Sequence, residues 1–317
     1  MRRIALLFPG QGAQAVGMGR AAAARFPEAR AVFDRIDAAL RTGISALCWD
    51  GPAERLQETR LQQPAIFACS MALWAAWRAG ASAEDGDEVV CAAGHSLGEY
   101  CALVAAGALS LEDGAVLVAA RGEAMQHAAE RRPGAMAAVL GLNRQAAVAI
   151  CAEASDPAEA LDGVVVLAND NAPGQQVLSG AAPALARAVA LAKARGARRI
   201  VPLKVAGAFH SPLMQSAAPQ LAAALAAARI ERCAIPVIAN STCEPLAAPE
   251  EIGSELLRQL TAPVRWVESV EALARYEPDL WVDCGPGNVV AGLVGRILAA
   301  ARTQALSSTI DAPDPAA

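Results

Sequence analysis

The sequence predicts an α/β protein with a parallel sheet and a smaller, separate unit inserted into the chain. Short, continuous apolar runs alternate with helical patterns, which is typical of a parallel sheet with helices on both faces. The composition changes at Arg131-Arg132-Pro133-Gly134, and a different order of elements follows. The 317 residues, 55% of them hydrophobic and 19% charged, suffice for one large domain or two smaller ones.

The first predicted strand covers residues 4–8, and the glycine-rich loop 9–14 follows it. Ligands bind at the carboxyl ends of the strands in open parallel sheets. The loop matches neither G-x-x-x-x-G-K-S/T nor G-x-G-x-x-G. We therefore expect it to offer backbone N–H groups to an anion rather than to cradle a nucleotide.

Residues 18–80 are predicted to form several helices, with breaks at Pro27, Gly43, Gly51-Pro52 and Gly80. The stretch 64–78 is so apolar that it predicts a buried helix. Pro64 would lie near the start of that helix, where its missing N–H costs nothing.

A strand, a sharp turn and a helix are predicted around Gly94-His95-Ser96-Leu97-Gly98. The apolar run 89–93 precedes the turn, and an apolar helical pattern follows it. Such a nucleophile elbow holds a serine in a strained conformation with its hydroxyl exposed at a helix N-terminus. Glycines on both sides allow the strand and the helix to approach closely. The alternative is an ordinary glycine-bounded turn between strand and helix.

The next helix begins at Ser110, a residue typical of helix N-termini, and contains Arg121. Arg121 follows Ser96 by 25 residues and adjoins the apolar stretch 116–120. The residues alone favour an arginine that extends to solvent or pairs with Glu123.

Residues 131–205 predict an inserted unit with the order β-α-β-β-α-β, which is the ferredoxin-like arrangement. The remaining segments, 1–130 and 206–317, would form the large domain. The inserted strands are expected at 135–142, 164–169, 176–179 and 199–205, and the helices at 144–153 and 184–194.

The chain then returns to the large domain through a turn that contains His210. We expect residues 311–317 to fray, as chain termini often do. Helices are expected at 212–228, 250–260, 264–274 and 289–301, and strands at 235–239 and 280–284.

Composition excludes several classes of protein. A net charge of −5 without a long basic run argues against nucleic-acid binding. No apolar window is long enough for a membrane span, and the N-terminal apolar run is too short for a signal peptide. The eight cysteines form no C-x-x-C pair, so we expect reduced thiols in a cytoplasmic protein that binds no metal. Nothing in the sequence demands an oligomer, and a monomer is expected.

A serine hydroxyl needs a base before it can attack a carbonyl, and the chain has three histidines. The side chain of His95 should point away from the apex of the turn, and His127 lies on a polar helix face. Elimination leaves His210 as the base, with a core or helix-capping histidine as the alternative.

No acidic residue between Ser96 and His210 follows a strand of the predicted main sheet, so a triad carboxylate is not expected. A backbone carbonyl would fix the imidazole tautomer instead. For the oxyanion of the tetrahedral intermediate, we expect two donors, the N–H of Leu97 and Gln11 of the first loop.

Six motifs in this order resemble the malonyl-CoA:acyl carrier protein transacylase family over residues 4 to 300. The resemblance implies an α/β-hydrolase-like large domain with a ferredoxin-like insertion. The motifs are Phe8-Pro9-Gly10-Gln11-Gly12, Gly94-His95-Ser96-Leu97-Gly98-Glu99-Tyr100, Arg121-Gly122, Gly207-Ala208-Phe209-His210-Ser211-Pro212, Pro263-Val264-Arg265-Trp266 and Cys284-Gly285-Pro286-Gly287.

The resemblance also implies roles for single residues. Ser96 would be the acylated nucleophile and His210 its base, with Gln11 and Leu97 as the oxyanion hole. Arg121 would bind the free carboxylate of the malonyl group, for which a bidentate guanidinium is suited. The carbonyl that orients the histidine would belong to Arg265, and Phe209 resembles the residue of malonyl-selective members.

The implied reaction is ping-pong transfer of a malonyl group from malonyl-CoA to the phosphopantetheine thiol of an acyl carrier protein. It needs no bound cofactor. Fatty acid synthesis, polyketide synthesis and carrier loading for malonate decarboxylase all remain open as pathways. A serine esterase or thioesterase and a non-catalytic carrier-binding module are the alternatives. Arg195, Arg198 and Arg199 form a candidate carrier-docking patch or an ordinary solvated cluster.

Overall fold

The computed structural model describes residues 1–81, 83, 84 and 86–312, and a six-stranded sheet forms its centre. Four neighbouring strand pairs are parallel, and the pair at one edge is antiparallel. A parallel sheet was predicted, whereas the two short outermost strands were not. In spatial order the strands are β10 (Thr303–Ala305), β9 (Leu280–Asp283), β1 (Arg3–Phe8), β2 (Glu88–Gly94), β7 (Val237–Ile238) and β8 (Pro245–Leu246).

Both faces of this sheet are buried. Ile4, Leu6 and Phe8 of β1 belong to the larger hydrophobic cluster, and the alternate residues Ala5 and Leu7 belong to a second cluster. Successive side chains of a strand point to opposite faces, so a central strand that is apolar throughout needs cover on both sides.

Helices supply this cover, and most begin and end where the sequence predicts. The buried fifth helix is an exception, because it begins at Thr59 and places Pro64 inside it. Thr59, Gln62 and Gln63 are buried in its first turns, and Pro64 leaves one hydrogen bond of the helix unmade. The helices here are α1 (Arg20–Arg25), α2 (Pro27–Leu40), α3 (Ile44–Asp50), α4 (Ala53–Leu56), α5 (Thr59–Ala76), α6 (Gly98–Ala105), α7 (Leu111–Arg131), α10 (Ala218–Ala227), α11 (Pro249–Arg258), α12 (Trp266–Ala274) and α13 (Val289–Ile297).

A second, four-stranded antiparallel sheet is formed by the segment after Arg131. Ile150, Leu178 and Leu185 lie in a hydrophobic cluster of its own. In spatial order its strands are β4 (Val165–Ala172), β5 (Gln175–Gly180), β3 (Ala135–Leu140) and β6 (Arg199–Pro202), and its helices are α8 (Arg144–Ala154) and α9 (Ala182–Ala194).

Backbone hydrogen bonds link β4 of the second sheet to the segment between α11 and α12. The N–H of Asp170 donates to the carbonyl of Val264 at 2.9 Å, and the N–H of Val264 donates to the carbonyl of Ala168 at 2.8 Å. Val264 lies just before α12. The N–H of the next residue, Arg265, donates at 3.0 Å to the carbonyl of Asn240, just beyond β7 of the large sheet, so the segment contacts both regions.

Asp311, the first residue of the segment 311–317 that is expected to fray, is held in place by hydrogen bonds to the start of α1. Its carboxylate accepts hydrogen bonds from the N–H groups of Gly19, at 2.6 Å, and Ala22, at 3.0 Å. The carboxylate thus caps the N-terminus of α1, where backbone N–H groups lack partners. Residues 313–317 lie outside the described residues.

Among the helices that the structure describes, none is long and apolar enough to span a bilayer.

Candidate active site

The turn after β2 has the predicted strand–turn–helix geometry. Ser96 at its apex has φ of 52°, in the left-handed region that an L-residue rarely adopts. A Cβ on Gly94 would overlap the backbone of Gly98, and a Cβ on Gly98 would overlap the carbonyl oxygen of Phe8. The two glycines are therefore required by the close approach of β1, β2 and α6.

Ser96 and His210 meet, as the elimination among the histidines predicted. Ser96 Oγ lies 2.8 Å from His210 Nε2 in the buried interior of the cleft. His210 Nδ1 lies 2.9 Å from the carbonyl oxygen of Gln259 and 3.2 Å from that of Ala262. Because a carbonyl only accepts, Nδ1 carries the proton and the lone pair of Nε2 faces the serine hydroxyl.

The prediction that the carbonyl of Arg265 orients His210 is therefore wrong. Arg265 directly precedes α12, and its carbonyl oxygen accepts the N–H of Ser269 at 2.9 Å in the first turn of that helix. The carbonyls of Gln259 and Ala262, just beyond α11, take the position instead.

Burial in the cleft, together with the positive charge of Arg121, lowers the pKa of His210 to about 3. The imidazole is consequently neutral at physiological pH and can accept a proton.

Arg121 is fully buried beside the serine, so the alternative of an arginine that extends to solvent is wrong. Its guanidinium donates to Gln63 Oε1 at 2.7 Å, to Ser96 Oγ at 3.0 Å and to Gln259 Oε1 at 2.9 Å. These three acceptors are neutral, and Nε has no partner among the described residues. Glu123, the partner considered from the sequence, lies 3.0 Å from His127 instead.

The loop after β1 lies directly against the elbow. A Cβ on Gly10 would come within 2.6 Å of the carbonyl oxygen of His95. The side chain of Gln11 donates to Gln62 Oε1, and its own Oε1 lies 3.4 Å from Gln63 Nε2. Gln63, which also accepts a hydrogen bond from Arg121, thus links the loop of Gln11 to Arg121.

Leu97 lies in the tight turn that leads into α6. The N–H of Gly98 donates to the carbonyl of His95 at 2.9 Å, which closes this turn around Ser96 and Leu97. Leu97 precedes the first residue of α6, in the region where backbone N–H groups lack helical partners.

Three buried polar residues behind the elbow were not identified from the sequence. Asn240 contacts the backbone on both sides of His95, and Gln259 Nε2 donates to the Ser96 carbonyl at 3.0 Å and to Glu99 Oε2 at 2.8 Å. Burial and the nearby Glu255 raise the pKa of Glu99 well above its usual range, which favours the neutral acid. The available signal was a polar residue directly after an apolar strand, at Asn240.

A cleft of about 120 Å³ opens beside Ser96 and includes Phe209 in its wall. His95 turns to Asn171, with Nε2 2.8 Å from Oδ1, and still lines the cleft. The wall is formed by Gln11, His95, Ser96, Met136, Asn169, Asn171, Val177, Leu203, Val205, Phe209 and His210.

A larger cavity of about 500 Å³ lies near the amino end of β2, between Trp74, Trp77 and Val89. Among the described residues it shares no lining residue with the cleft beside Ser96. We therefore assign the chemistry to the smaller cleft, which contains the serine and the histidine.

The candidate docking arginines lie on the surface of the antiparallel sheet unit. Arg195, Arg198 and Arg199 are exposed, and Arg195 forms an ion pair with Glu153.

Comparison with known proteins places this site in a family. The model of the acyl transferase domain matches residues 5–306. The malonyl CoA-acyl carrier protein transacylase of Bacillus subtilis (strain 168) is 41% identical over 307 residues, which cover 97% of this chain and 94% of that protein.

Solved structures agree in fold over the same length. The malonyl CoA-acyl carrier protein transacylase of Coxiella burnetii has a TM-score of 0.90 at 37% identity, with 98% of this chain and 95% of that chain covered. A structure described as a type II PKS acyl-carrier protein in complex with its malonyl-transacylase has a TM-score of 0.89 at 35% identity, with 98% and 99% covered. The chain therefore belongs to the malonyl-CoA:acyl carrier protein transacylase family of acyl transferase domains.

Proposed function

We propose that this acyltransferase moves a malonyl group from malonyl-CoA to the phosphopantetheine thiol of an acyl carrier protein. One observation carries the proposal most directly. A buried guanidinium, that of Arg121, contacts neutral oxygens and lies 3.0 Å from the serine oxygen that is paired with a histidine. A buried cation needs an anionic partner, and the carboxylate of a malonyl group supplies one within reach of the acylated serine.

The first half-reaction forms the malonyl-serine ester. His210 Nε2 accepts the hydroxyl proton as Ser96 Oγ attacks the thioester carbonyl. The N–H groups of Leu97 and Gln11 stabilise the oxyanion of the tetrahedral intermediate. When that intermediate collapses, the carbon–sulfur bond breaks and protonated His210 gives its proton to the departing CoA thiolate.

The second half-reaction runs the same steps in reverse with another thiol. His210 accepts the proton of the carrier's phosphopantetheine thiol, and the thiolate attacks the serine ester. Ser96 leaves as an alkoxide, takes the proton from His210 and is restored. The residues named here bind, orient and move protons, so the proposal requires no bound cofactor.

Arg121 would hold the malonyl carboxylate between the two half-reactions. A planar guanidinium matches a carboxylate through two parallel hydrogen bonds, which the compact ammonium of lysine does not reproduce. Gln63 and Gln259 fix the orientation of the group. Phe209, which is 4% exposed, fills the wall of the cleft where a bulkier acyl group would lie.

Intact-protein mass spectrometry after mixing with malonyl-CoA tests this function. We expect one malonyl adduct on the protein, its absence from Ser96→Ala, and its transfer to a phosphopantetheinylated carrier protein. Rapid release of free malonate without the carrier would favour the esterase or thioesterase alternative. Absence of any adduct would favour the carrier-binding module.

The pathway is proposed at a coarser level. Relatives include transacylases named for malonyl-CoA and one named as the partner of a type II PKS carrier, so fatty acid and polyketide synthesis both fit. Carrier loading for malonate decarboxylase stays a less favoured alternative. We propose Arg195, Arg198 and Arg199 as the carrier-docking patch, a monomer as the working form and the cytoplasm as its location.

We also propose that the chain has two domains. Residues 1–130 and 206–317 would form the α/β-hydrolase-like domain, and residues 131–205 the ferredoxin-like domain. The separate hydrophobic cluster around Ile150 and Leu178 supports this division, as does the antiparallel strand order of the second sheet.

A further inference from the structure

The backbone of the elbow has two polar groups that the sheet does not satisfy. β2 lies between β1 and β7, and on the β1 side the N–H of His95 donates to the carbonyl of Phe8 at 2.8 Å. On the other side β7 ends at Ile238, so no strand that the structure describes pairs with Gly94 and Ser96. A buried carbonyl or N–H without a partner destabilises the fold.

The side chain of Asn240 supplies both missing partners. Its Oδ1 accepts the N–H of Ser96 at 2.7 Å, and its Nδ2 donates to the carbonyl of Gly94 at 2.7 Å. The two backbone groups fix which end of the amide is oxygen and which is nitrogen, since one only donates and the other only accepts.

Asn240 is itself held on both sides. It is fully buried, its N–H donates to Glu99 Oε2 at 3.2 Å, and its carbonyl accepts the N–H of Arg265 at 3.0 Å. The side-chain amide of Asn240 is therefore held in one orientation. Asparagine is the side chain of this size that offers a hydrogen-bond donor and an acceptor side by side.

We propose that Asn240 is a positioning residue that holds Ser96 in its left-handed conformation and so aims Oγ at His210. This inference rests on the proposed role of Ser96 as the nucleophile. The hydrogen bond from the Ser96 N–H to Asn240 also limits which backbone N–H groups of the elbow can donate to the oxyanion. Because the Ser96 N–H already donates to Asn240, the next amide of the turn without a partner among the described residues is that of Leu97.

Asn240→Asp separates positioning from simple packing. Aspartate has the same size and still accepts the Ser96 N–H, but its carboxylate places a second oxygen against the Gly94 carbonyl. Protonation of that carboxylate restores a donor. We expect the rate of Ser96 acylation by malonyl-CoA in single turnover to fall about 10- to 100-fold at pH 8 and to recover in part toward pH 5.5.

The matched control is Asn143→Asp. Asn143 also accepts a backbone N–H through its side chain, that of Ala146 at 2.8 Å, but at the exposed start of α8. Aspartate is an equally good residue at a helix start, so acylation and its pH profile should equal those of the unaltered enzyme.

Binding provides a second readout. Asn240 is not among the described residues that line the cleft, so Asn240→Asp in the Ser96→Ala background should leave the Kd for malonyl-CoA within about two-fold. An acylation rate within about three-fold of the unaltered enzyme, or a parallel loss of binding, would overturn the proposal.

A readout of stability needs no activity and stays valid if the proposed nucleophile is wrong. Glycine adopts the left-handed region without penalty, so Asn240→Asp should lower Tm less in a Ser96→Gly background than in the unaltered chain. An equal lowering of Tm, or failure to fold in both backgrounds, would contradict the proposal that Asn240 holds Ser96 in its left-handed conformation. A missing malonyl adduct on the unaltered enzyme would instead contradict the proposed function alone.

Discussion

Ser96 and His210 both have positive φ, 52° and 56° respectively. A non-glycine residue in this region costs about 1–3 kcal/mol and persists where its surroundings determine it. Side-chain amides from Asn240 and Gln259 hold the peptide groups of Ser96, and two backbone carbonyls hold the imidazole. With these backbone conformations, the Ser96 hydroxyl and the His210 imidazole project from two turns and lie 2.8 Å apart.

The neutral imidazole predicts an unusual pH profile. Because the pKa of His210 is lowered to about 3, this proposed base is already deprotonated across the neutral range. We expect the single-turnover rate of Ser96 acylation to stay level from about pH 8 down to about pH 5, without a bend near 6.5, the ordinary histidine value. A rate that halves near pH 6.5 would assign an ordinary pKa to His210.

Arg121 is expected to set the preference for a carboxylated acyl group. Arg121→Ala should lower kcat/KM for malonyl-CoA by about 100-fold or more, because the substrate carboxylate loses its buried partner. The value for acetyl-CoA should change by less than about five-fold, since no carboxylate is lost. Steady-state kinetics with both donors measure the ratio, and Arg35→Ala, which removes an exposed arginine paired with Glu112, is the control.

An equal loss for both donors in Arg121→Ala would contradict the carboxylate role. Arg121→Lys distinguishes charge from geometry, because lysine restores the charge without the planar fork.

At the level of elements, the elbow depends on three backbones that approach closely. β1, β2 and the start of α6 meet where Phe8, Gly94 and Gly98 lie. The segment between α11 and α12 faces them and provides the carbonyls for His210. The site is therefore formed by residues at the ends of strands and helices. The loops that follow the parallel strands all lie at the same edge of the sheet.

Gly98→Ala tests this close approach. The new Cβ would overlap the carbonyl oxygen of Phe8, which is backbone and cannot move aside cheaply. We expect a loss of about 1–3 kcal/mol in the free energy of unfolding and a strong loss of acylation. Urea denaturation and single-turnover kinetics measure the two effects.

Gly292→Ala is the matched control, because no atom of the described part of the chain lies within 4 Å of a Cβ at that position in α13. Alanine at that position should raise the free energy of unfolding by up to about 1 kcal/mol, because it favours the helix more than glycine does. Equal stability of Gly98→Ala and the unaltered chain would contradict the predicted clash.

Over the whole molecule, the sequence predicted what depends on local pattern. The elbow at Ser96 is a contiguous motif, and three histidines left few choices for the base. The two outermost strands of the large sheet have two and three residues, which is too short for a periodic pattern.

The roles of Asn240 and Gln259 depend on contacts between residues more than 140 positions apart in the chain. The carbonyl that orients His210 was placed at Arg265 instead of Gln259 and Ala262 because every residue has the same carbonyl. Only the path of the backbone decides which of them faces the ring.

Asp311, near the end of the described chain, caps α1. Asp311→Ala should lower the free energy of unfolding by about 1 kcal/mol, as for other lost helix caps, with kcat/KM for malonyl-CoA unchanged. Thermal denaturation measures the effect, with Asp311→Asn as the variant that keeps one acceptor. A normal Tm in Asp311→Ala would show that α1 needs no such cap.

The hydrogen bonds between β4 and Val264 have a consequence for exchanging parts between relatives. A chimera that replaces residues 131–205 with the corresponding segment of another family member changes no residue of the Ser96–His210–Arg121 set. It does change the strand edge at residues 168–170 against which the 259–264 segment is aligned. Transplanted segments must therefore reproduce that edge in register, or the recipient loses the alignment of His210, its proposed base, while keeping the side chains of Ser96, His210 and Arg121.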